Sequence, residues 1–579
     1  MKKKWVEVRK GADFNQIAAD FSISPYLARI IRNRGAVTNE EIAMYLNGDL
    51  SMMHDPALLR DMEVAVSILE DAIEAQIPIR VVGDYDIDGI TASYILKKGI
   101  ESAGGIVDVR LPERVKDGYG INEKMIRDAY DEGIELIITC DNGIAASKEV
   151  ELALSLGMSV IVTDHHEVPY EMVDGMKKYD IPCADAVIDP KRPDCSYPFE
   201  GICGAMVCYK LISHLYNSAS IGETVANRSK LLTEFLSFAA FATVGDMMEL
   251  KDENRVAVKY GLAQLKNTDN VGMRALIEEK GLLGKDITGY HVGFVLGPCI
   301  NATGRLETAD AALDLFFIED PDAAREKAKE LSAINDSRKN LTDAFTKKAI
   351  KEVCEKYPDD RVVVVYMPEC HESIAGLVAG KIKEEFYRPA IVLTNGSDGN
   401  LKGSGRSIEG YNMYDELSRI KDMFIRFGGH KMAAGLSLPA GSVDELRNKL
   451  NENCTLNDDD LVKKYMIDIP LPVGRVSEAF AKELSKLEPF GISNPGPLFA
   501  QKDVPIRSIK LYGSNCVKLV LEGTDEAGRT VSADAVCFEE AEKMYEELKD
   551  RKSVSILYQV GINEYNGKKS VQLTIKDWF

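Results

Sequence analysis

The chain has 579 residues and a formal net charge of −21, with 45% hydrophobic and 28% charged residues. This length exceeds what one hydrophobic core supports and predicts roughly three to four domains. The acidic surplus argues against nucleic-acid binding by overall charge, although carboxylates that hold cations enter the same count. The 11 cysteines form no C-x-x-C pair and no apolar run is long enough to span a bilayer, so we expect a cytoplasmic protein without disulfides or a membrane partner.

Residues 1–55 are predicted to form an N-terminal helical segment, since Thr38 to Glu41 has the pattern of a helix start. In residues 56–320 a helical stretch is followed by short β-branched runs that alternate with helical runs. The predicted strands of this part are 79–82, 106–111, 134–139 and 159–163. Such alternation predicts an α/β domain with a doubly wound parallel sheet, in which ligands bind at the carboxyl ends of the strands.

The second half of the chain divides into three further predicted units. Residues 321–357 are rich in Ala, Glu, Lys and Leu and predict a linking helix roughly 50 Å long, with two packed helices as the alternative. Residues 358–460 show a new β–α–β pattern and predict a second α/β domain. Residues 461–579 end in alternating apolar and polar runs that predict a small β-barrel.

Three aspartates, Asp84, Asp86 and Asp88, follow the first predicted strand of the parallel sheet. Carboxylates at this spacing repel one another unless protons or cations neutralise them. A helix cap would explain one of the three, so we interpret the cluster as metal-binding.

Similar side chains follow the other strands. Asp141 follows 134–139 after one intervening residue, Asp164-His165-His166 follows 159–163, and Asp246 ends an apolar helical run. Imidazole with carboxylate suits Mn²⁺, whereas oxygen ligands alone suit Mg²⁺. Together these residues predict a site for two divalent cations, Mn²⁺ or Mg²⁺, bridged by Asp141 at mid-sheet.

Several motifs have residue types suited to nucleic acid. Glycines around Ser404 and Arg406 allow a close approach to phosphate, and a hairpin with a solvated arginine is the alternative. Tyr119 lies between two glycines and could provide a stacking surface for a base, with a simple turn as the alternative. On the barrel, Tyr512, Tyr558 and Tyr565 predict a stacking platform, with Lys510, Lys518, Lys568 and Lys569 as phosphate contacts.

The ordered set of motifs closely resembles the RecJ family, the single-strand-specific 5′ to 3′ DNA exonucleases of the DHH phosphoesterase superfamily. The resemblance includes the D-x-D, D-N-G and D-H-H motifs and continues through Asn301 to Leu306, Gly403 to Ser407, Gly428 to His430, and Pro489 to Gly491. It implies a DHH catalytic domain, a linking helix, a DHHA1 domain and a C-terminal OB-like barrel. It also implies hydrolysis of single-stranded DNA to mononucleotides, in repair and recombination.

The resemblance also assigns residues. The implied metal ligands are Asp84, Asp86, Asp88, Asp141, His165 and Asp246. Catalytic roles fall to Asp86, Asp141 and His166, of which His166 is expected at the scissile phosphate. The predicted nucleic-acid contacts are Arg114, Tyr119, Arg305, His371, Ser404, Arg406 and His430.

One position departs from the family pattern. Many members have Trp-His followed by Gly-Val, whereas this chain has Cys370 before His371, and Ser373-Ile374 after it. A packing role of position 370 against a base or sugar is therefore left open.

Two alternatives remain: a DHH phosphodiesterase for oligonucleotides, cyclic dinucleotides or pyrophosphate, and a non-catalytic single-strand-binding replisome scaffold. The linking helix and barrel argue against the first, and the complete set of ligand residues argues against the second. We expect a monomer, with a helicase and a single-strand-binding protein as possible partners. The choices of Mn²⁺ or Mg²⁺ and of DNA or RNA stay open.

Overall fold

The computed structural model describes residues 3–222, 224–565 and 568–579, apart from the side chains of residues 564, 565 and 568. Its strands are β1 (Lys3–Glu7), β2 (Pro78–Val82), β3 (Ile106–Arg110), β4 (Leu136–Cys140), β5 (Ser159–Thr163), β6 (Tyr170–Val173), β7 (Met176–Tyr179), β8 (Ala186–Ile188), β9 (Val363–Tyr366), β10 (Ala390–Asn395), β11 (Leu401–Arg406), β12 (Arg426–His430), β13 (Ala433–Leu438), β14 (Lys463–Ile467), β15 (Ile469–Pro470), β16 (Phe499–Tyr512), β17 (Cys516–Thr524), β18 (Thr530–Cys537), β19 (Ser553–Tyr565) and β20 (Lys568–Trp578). Its α-helices are α1 (Phe14–Phe21), α2 (Pro25–Asn33), α3 (Asn39–Asn47), α4 (Met62–Glu74), α5 (Ile87–Ser102), α6 (Glu123–Asp131), α7 (Ser147–Ser155), α8 (Gly204–Leu215), α9 (Arg228–Gly245), α10 (Asp252–Leu265), α11 (Val271–Glu279), α12 (Gly289–His291), α13 (Gly297–Leu306), α14 (Asp310–Phe317), α15 (Pro321–Lys356), α16 (Glu372–Phe386), α17 (Met413–Ser418), α18 (Val443–Glu452), α19 (Glu478–Leu484) and α20 (Ala541–Leu548). Among the described residues, no helix combines the length and the apolar character that crossing a bilayer requires.

The first sheet is parallel and has the strand order β3-β2-β4-β5-β8. All residues of its central strand β4 are buried. Helices α4, α5 and α8 cover one face in a large apolar core, with α9 packed on α5 and α8, and α6 and α7 cover the other face in a second core. The predicted doubly wound sheet is confirmed, and the carboxyl ends of β2, β4 and β5 lie at one edge.

The linking helix α15 is continuous over 36 residues, which excludes two helices joined by a turn. Asp320 caps its first turn by accepting hydrogen bonds from the backbone N–H groups of residues 322 and 323. Leu331 belongs to the core of the first domain, whereas Val353 belongs to the core around β9, β10 and α16. The helix therefore has one end built into each α/β domain.

The second α/β domain has the strand order β12-β13-β11-β10-β9. Strands β9 and β10 are parallel, and the remaining neighbours are antiparallel. Ser404 and Arg406 lie on β11, which forms a hairpin with β10 and is an interior strand of this sheet, so the hairpin named as the alternative is present, whereas a role in phosphate binding stays a prediction. Strands β12 and β13 were not predicted, because their glycines weaken the alternating pattern.

The C-terminal domain is a closed barrel in which β16-β17-β18-β20-β19 returns to β16. Residues 508–521, one of the alternating apolar and polar runs, span the β16–β17 hairpin. The expected stacking role of Tyr558 is wrong, since its side chain is fully buried and its hydroxyl donates a hydrogen bond to Leu471 O. Tyr512 is exposed, and Lys518 pairs with Asp534 at 2.8 Å. The side chains of Tyr565 and Lys568 lie outside the described residues.

The N-terminal segment packs on the barrel. Its helix α2 buries Leu27, Ile30 and Ile31 in the barrel core. Strand β1, which was not predicted, pairs in parallel with β14, and Trp5 donates a hydrogen bond to Asp577 at 2.7 Å. The first and last parts of the chain thus form one packed unit.

Candidate active site

The D-x-D motif lies between the end of β2 and the start of α5. Asp86 caps the helix, because its Oδ1 accepts hydrogen bonds from the backbone N–H groups of Asp88 at 2.9 Å and Gly89 at 3.2 Å. Asp88 is fully buried and accepts hydrogen bonds from the N–H groups of residues 204 and 205, at the start of α8. Asp84 is also buried, and its Oδ1 has no hydrogen-bond partner among the described residues.

The other predicted ligands converge on the same place. His165 Nε2 lies 3.1 Å from Asp141 Oδ1, 3.5 Å from Asp88 Oδ2 and 3.8 Å from Asp246 Oδ2. Three groups of side chains have ligand atoms within 4.8 Å of one another. These groups are Asp141, His165 and His166; Asp88, His165 and Asp246; and Asp84, Asp86 and Asp141. The structure thus brings together all six predicted metal ligands, and His166 with them.

The electrostatics of this cluster favour cation binding. Burial and the neighbouring carboxylates raise the pKa of Asp84, Asp141 and Asp246 well above the usual value. Burial, and next to it the charge of Asp86, raises the pKa of Asp88 to about 6.

The histidine of the cluster is also in the protonation state that a metal ligand requires. Burial lowers the pKa of His165 to about 3, so its imidazole is neutral at physiological pH, as a ligand must be. Crowded carboxylates, a neutral imidazole and the unpartnered Oδ1 of Asp84 are a donor set that fits divalent cations.

Asp164 is a further residue of the site, and its individual role was not predicted from the D-H-H motif. Its carboxylate accepts hydrogen bonds from the N–H groups of Ile144 at 2.9 Å and His165 at 2.7 Å, and lies 2.7 Å from His166 Nδ1. Burial opposes the charge of Asp164, but the hydrogen bond and charge of His166 outweigh it and lower the pKa of Asp164. Burial likewise opposes the charge of His166, yet the contact with Asp164 raises the pKa of His166 to about 9. His166 is therefore a protonated imidazole that is partly exposed beside the cluster.

Tyr119 contacts the same residues. Its hydroxyl donates a hydrogen bond to Asp141 O at 2.6 Å and lies 3.2 Å from His166 Nδ1. Half of its surface is exposed. Tyr119 thus fixes the backbone of Asp141, and its predicted stacking role stays a prediction.

Four arginines lie near one another where the two α/β domains meet, a region that we call the cleft. The Arg114 guanidinium lies 3.8 Å above the Tyr85 ring, next to the aspartates. Burial and the neighbouring Arg114, Arg338 and Arg406 lower the pKa of Arg305 to about 10. Arg338, on the linking helix, was not predicted, and its guanidinium donates to Asn335 Oδ1 at 2.9 and 3.1 Å.

Arg406 extends this group from the second domain. A Cβ atom at Gly376 would lie 2.9 Å from Arg406 Nη2 and 3.4 Å from Ser404 Cβ, so glycine leaves the space that both side chains occupy. Within the described residues, Arg406 donates to Gly405 O at 2.8 Å and pairs with no carboxylate. The same holds for Arg114, Arg305 and Arg338, whose described partners are neutral oxygens and, for Arg114, also the Tyr85 ring. Such cations are available to phosphates.

Two predicted contacts lie further from the metal ligands. His371 is the N-cap of α16, where its Nδ1 accepts from Ser373 N at 3.3 Å. His430 is exposed on β12, and its Nδ1 accepts from Met432 N at 3.3 Å. A role of either residue in nucleic-acid binding stays a prediction.

Three family models match the chain. The DHH family N-terminal domain matches residues 78–243, the DHHA1 domain matches 359–455, and the RecJ OB domain matches 467–577. These matches identify the first α/β domain as a DHH domain, the second as a DHHA1 domain and the barrel as a RecJ OB domain.

Known proteins match the chain over its whole length. The single-stranded-DNA-specific exonuclease RecJ of Bacillus subtilis (strain 168) is 34% identical to this chain, and the matched region covers 100% of this chain and 71% of that protein. The protein of that name from Escherichia coli (strain K12) is 32% identical over 96% of this chain and 95% of its own. The crystal structure of RecJ from Thermus thermophilus in complex with Mn²⁺ has a TM-score of 0.82 and 26% identity, covering 100% of this chain and 79% of that one. This chain therefore belongs to the RecJ family of DHH proteins.

Proposed function

We propose that this protein is a metal-dependent exonuclease that degrades single-stranded DNA from its 5′ end and releases mononucleotides. One observation is central: a buried cluster of carboxylates and a neutral imidazole lies beside arginines that have no carboxylate partners among the described residues. The first group fits divalent cations and the second fits phosphates. The names of the relatives, which are single-stranded-DNA-specific exonucleases, support the same substrate.

In this proposal six residues hold two divalent cations, Mn²⁺ or Mg²⁺: Asp84, Asp86, Asp88, Asp141, His165 and Asp246. Such cations, when bound, activate water and stabilise the charge that develops on the phosphorus. Asp141 follows the central strand β4 and, like His165, belongs to two of the three ligand groups. Of these two residues only the carboxylate has two oxygens that could each bind a cation, which supports Asp141 as the shared residue.

His166 is proposed to act on the phosphate. Asp164 keeps its imidazole protonated, so the ring donates a hydrogen bond to a phosphate oxygen and neutralises part of its charge. Tyr119 and Asp164 together hold the ring in place, since both lie within hydrogen-bond distance of Nδ1. A fixed imidazole suits this role, because its N–H group is already in place when the phosphate binds.

Polarity and strand selectivity are assigned to the cleft. Arg114 and Arg305 on one side, and Ser404 and Arg406 on the other, are proposed to bind the 5′ end and the adjacent backbone. A cleft between two domains that are joined by a continuous helix admits one flexible strand more readily than a duplex. The barrel supplies a second binding surface, as OB-folds do for single strands.

The test is digestion of DNA and RNA strands that are labelled at either end, with Mn²⁺, Mg²⁺ or EDTA. We expect labelled mononucleotide at once from 5′-labelled single-stranded DNA, and only late from 3′-labelled DNA. Duplex DNA should stay intact, and so should single strands in the presence of EDTA. Early release from the 3′ end contradicts the polarity. Activity restricted to dinucleotides or cyclic dinucleotides instead identifies a small-substrate phosphodiesterase.

A further inference from the structure

Ser373 and Arg305 form a reciprocal pair of hydrogen bonds between the two α/β domains. Arg305, near the end of α13, donates from Nη1 to Ser373 O at 2.7 Å. Ser373, in the first turn of α16, donates from Oγ to Arg305 O at 2.7 Å. Each residue thus uses its side chain to hold the backbone of the other, across the boundary between the domains.

This pair fixes a guanidinium that otherwise lies among like charges. Arg114, Arg338 and Arg406 all act on Arg305 to disfavour its charge, after the larger effect of burial. The carbonyl of Ser373 is a partner for Arg305 that lies on the opposite domain. Because α16 begins at this point, the position of that carbonyl is set by a regular helix.

Ser373 also contacts a predicted nucleic-acid residue. Its Oγ lies 2.6 Å from His371 Nδ1, and its N–H donates to the same nitrogen at 3.3 Å. Ser373 is buried, whereas His371 is exposed toward solvent. The Oγ atom therefore lies within hydrogen-bond distance of both Arg305 O and His371 Nδ1, and its one proton is donated to one of them at a time.

We propose that Ser373 is a positioning residue that holds Arg305 in place for phosphate binding and sets the spacing of the two domains. This inference rests on the proposed function, in which Arg305 binds the strand. A glycine at this position would keep the carbonyl but lose both contacts of the hydroxyl. The serine therefore adds a constraint that the backbone alone does not provide.

The first experiment compares Ser373→Ala and Ser373→Thr with wild type on a 5′-phosphorylated single strand with Mn²⁺. A lost hydrogen bond to a backbone carbonyl should raise KM roughly two- to ten-fold, with kcat changed less than about two-fold. Ser373→Thr, which keeps the hydroxyl, should restore most of the KM. Ser418→Ala is the matched control, because Ser418 Oγ also donates to a backbone carbonyl, that of Tyr414, at an exposed site.

A binding measurement separates this inference from the proposed function. Fluorescence anisotropy with EDTA reports strand affinity without hydrolysis, so it gives a result even if the wild type proves inactive. We expect Ser373→Ala to weaken affinity for the 5′-phosphorylated strand more than for the 5′-hydroxyl strand. Arg305→Lys should show the same bias, and the double variant should lose less than the sum of the two single losses. Additive losses, or unchanged affinity of Ser373→Ala, overturn the positioning role; an inactive wild type that still shows this coupling overturns the nuclease instead.

Discussion

The Oδ1 atom of Asp141 lies 3.1 Å from Nε2 of His165, although 24 residues separate the two in the chain. Asp141 follows β4 and His165 follows β5, and these parallel strands pair up to Cys140 and Thr163. Parallel neighbours end at the same edge of a sheet, so their following side chains meet. This geometry places Asp141 among most of the candidate ligands, and its loss should affect the whole centre.

Asp141→Asn should abolish hydrolysis and leave a folded protein that still binds single strands. Asparagine is the better replacement than alanine because residue 141 has φ 60°, which asparagine tolerates. Losing a shared ligand should raise the activation free energy by several kcal/mol, which lowers kcat roughly a thousand-fold. The measurement is turnover at saturating Mn²⁺, with thermal unfolding in EDTA, where removal of a buried like charge should leave Tm equal or higher.

Asp131→Asn, at an exposed helix end, is the control for the charge change itself. Turnover of Asp141→Asn above a few per cent of wild type would remove Asp141 from the shared position.

The His166–Asp164 pair should make the stability of the metal-free protein depend on pH. Although burial lowers the pKa of His166, Asp164 raises it to about 9, above the ordinary 6.5. The folded state thus binds this proton more tightly than the unfolded chain does. The stabilisation is fully present below pH 6.5 and is lost as the pH rises through 9. Urea unfolding in EDTA should show this loss in wild type and a flatter profile in His166→Gln. Parallel profiles would contradict the raised pKa.

The arginines of the cleft should read the 5′ end. Arg114→Ala, Arg305→Ala and Arg406→Ala each remove a charge-assisted contact of roughly 1.5–3 kcal/mol. We expect kcat/KM on 5′-phosphorylated strands to fall roughly ten- to hundred-fold, and on 5′-hydroxyl strands to fall much less. Rates on the two substrates, measured side by side, check this. If no variant changes their ratio, these arginines do not recognise the terminal phosphate.

The barrel cannot be removed as a separate piece, for example by a truncation from Ser508. Such a cut divides β16 and exposes the core that α2 shares with the barrel. Leu27 is fully buried in that core, so Leu27→Ala should lower the free energy of unfolding by about 2–5 kcal/mol. Denaturant unfolding checks the value. The exposed Val37→Ala is the control, and equal effects of the two changes would show that the segment packs loosely.

Tyr512 is the exposed residue on which a stacking role of the barrel can be tested. About half of its surface is exposed, and Lys510 Nζ lies 4.9 Å from its ring centroid. Loss of one stacked base is worth about 1–3 kcal/mol, so Tyr512→Ala should raise KM on long strands and leave kcat unchanged. Tyr512→Phe keeps the ring and should behave as wild type. An equal rise of KM on very short strands would place the defect elsewhere than on the barrel.

The sequence alone predicted the architecture of the first domain and the side chains that gather at the edge of its sheet. β-branched runs in alternation with helical ones specify a parallel sheet, and that class of sheet has one ligand edge. Asp84, Asp141 and His165 could therefore be assigned to one site from where their strands end. Continuous helical composition from Pro321 likewise sufficed to predict α15.

Only the tertiary structure decided how distant segments pair. Strand β1 depends on β14, and the buried face of α2 depends on the barrel, so neither partner can be read from a local pattern. The partner of a polar side chain is likewise set by the fold: the hydroxyl of Ser373 reaches Arg305 O, 68 positions earlier in the chain. The net charge of −21 gives no sign of the arginine group, because the fold brings Arg114, Arg305, Arg338 and Arg406 together from separate parts of the chain. Local periodicity fixes elements and their ends, whereas partners and local charge arise when segments far apart in the chain come into contact.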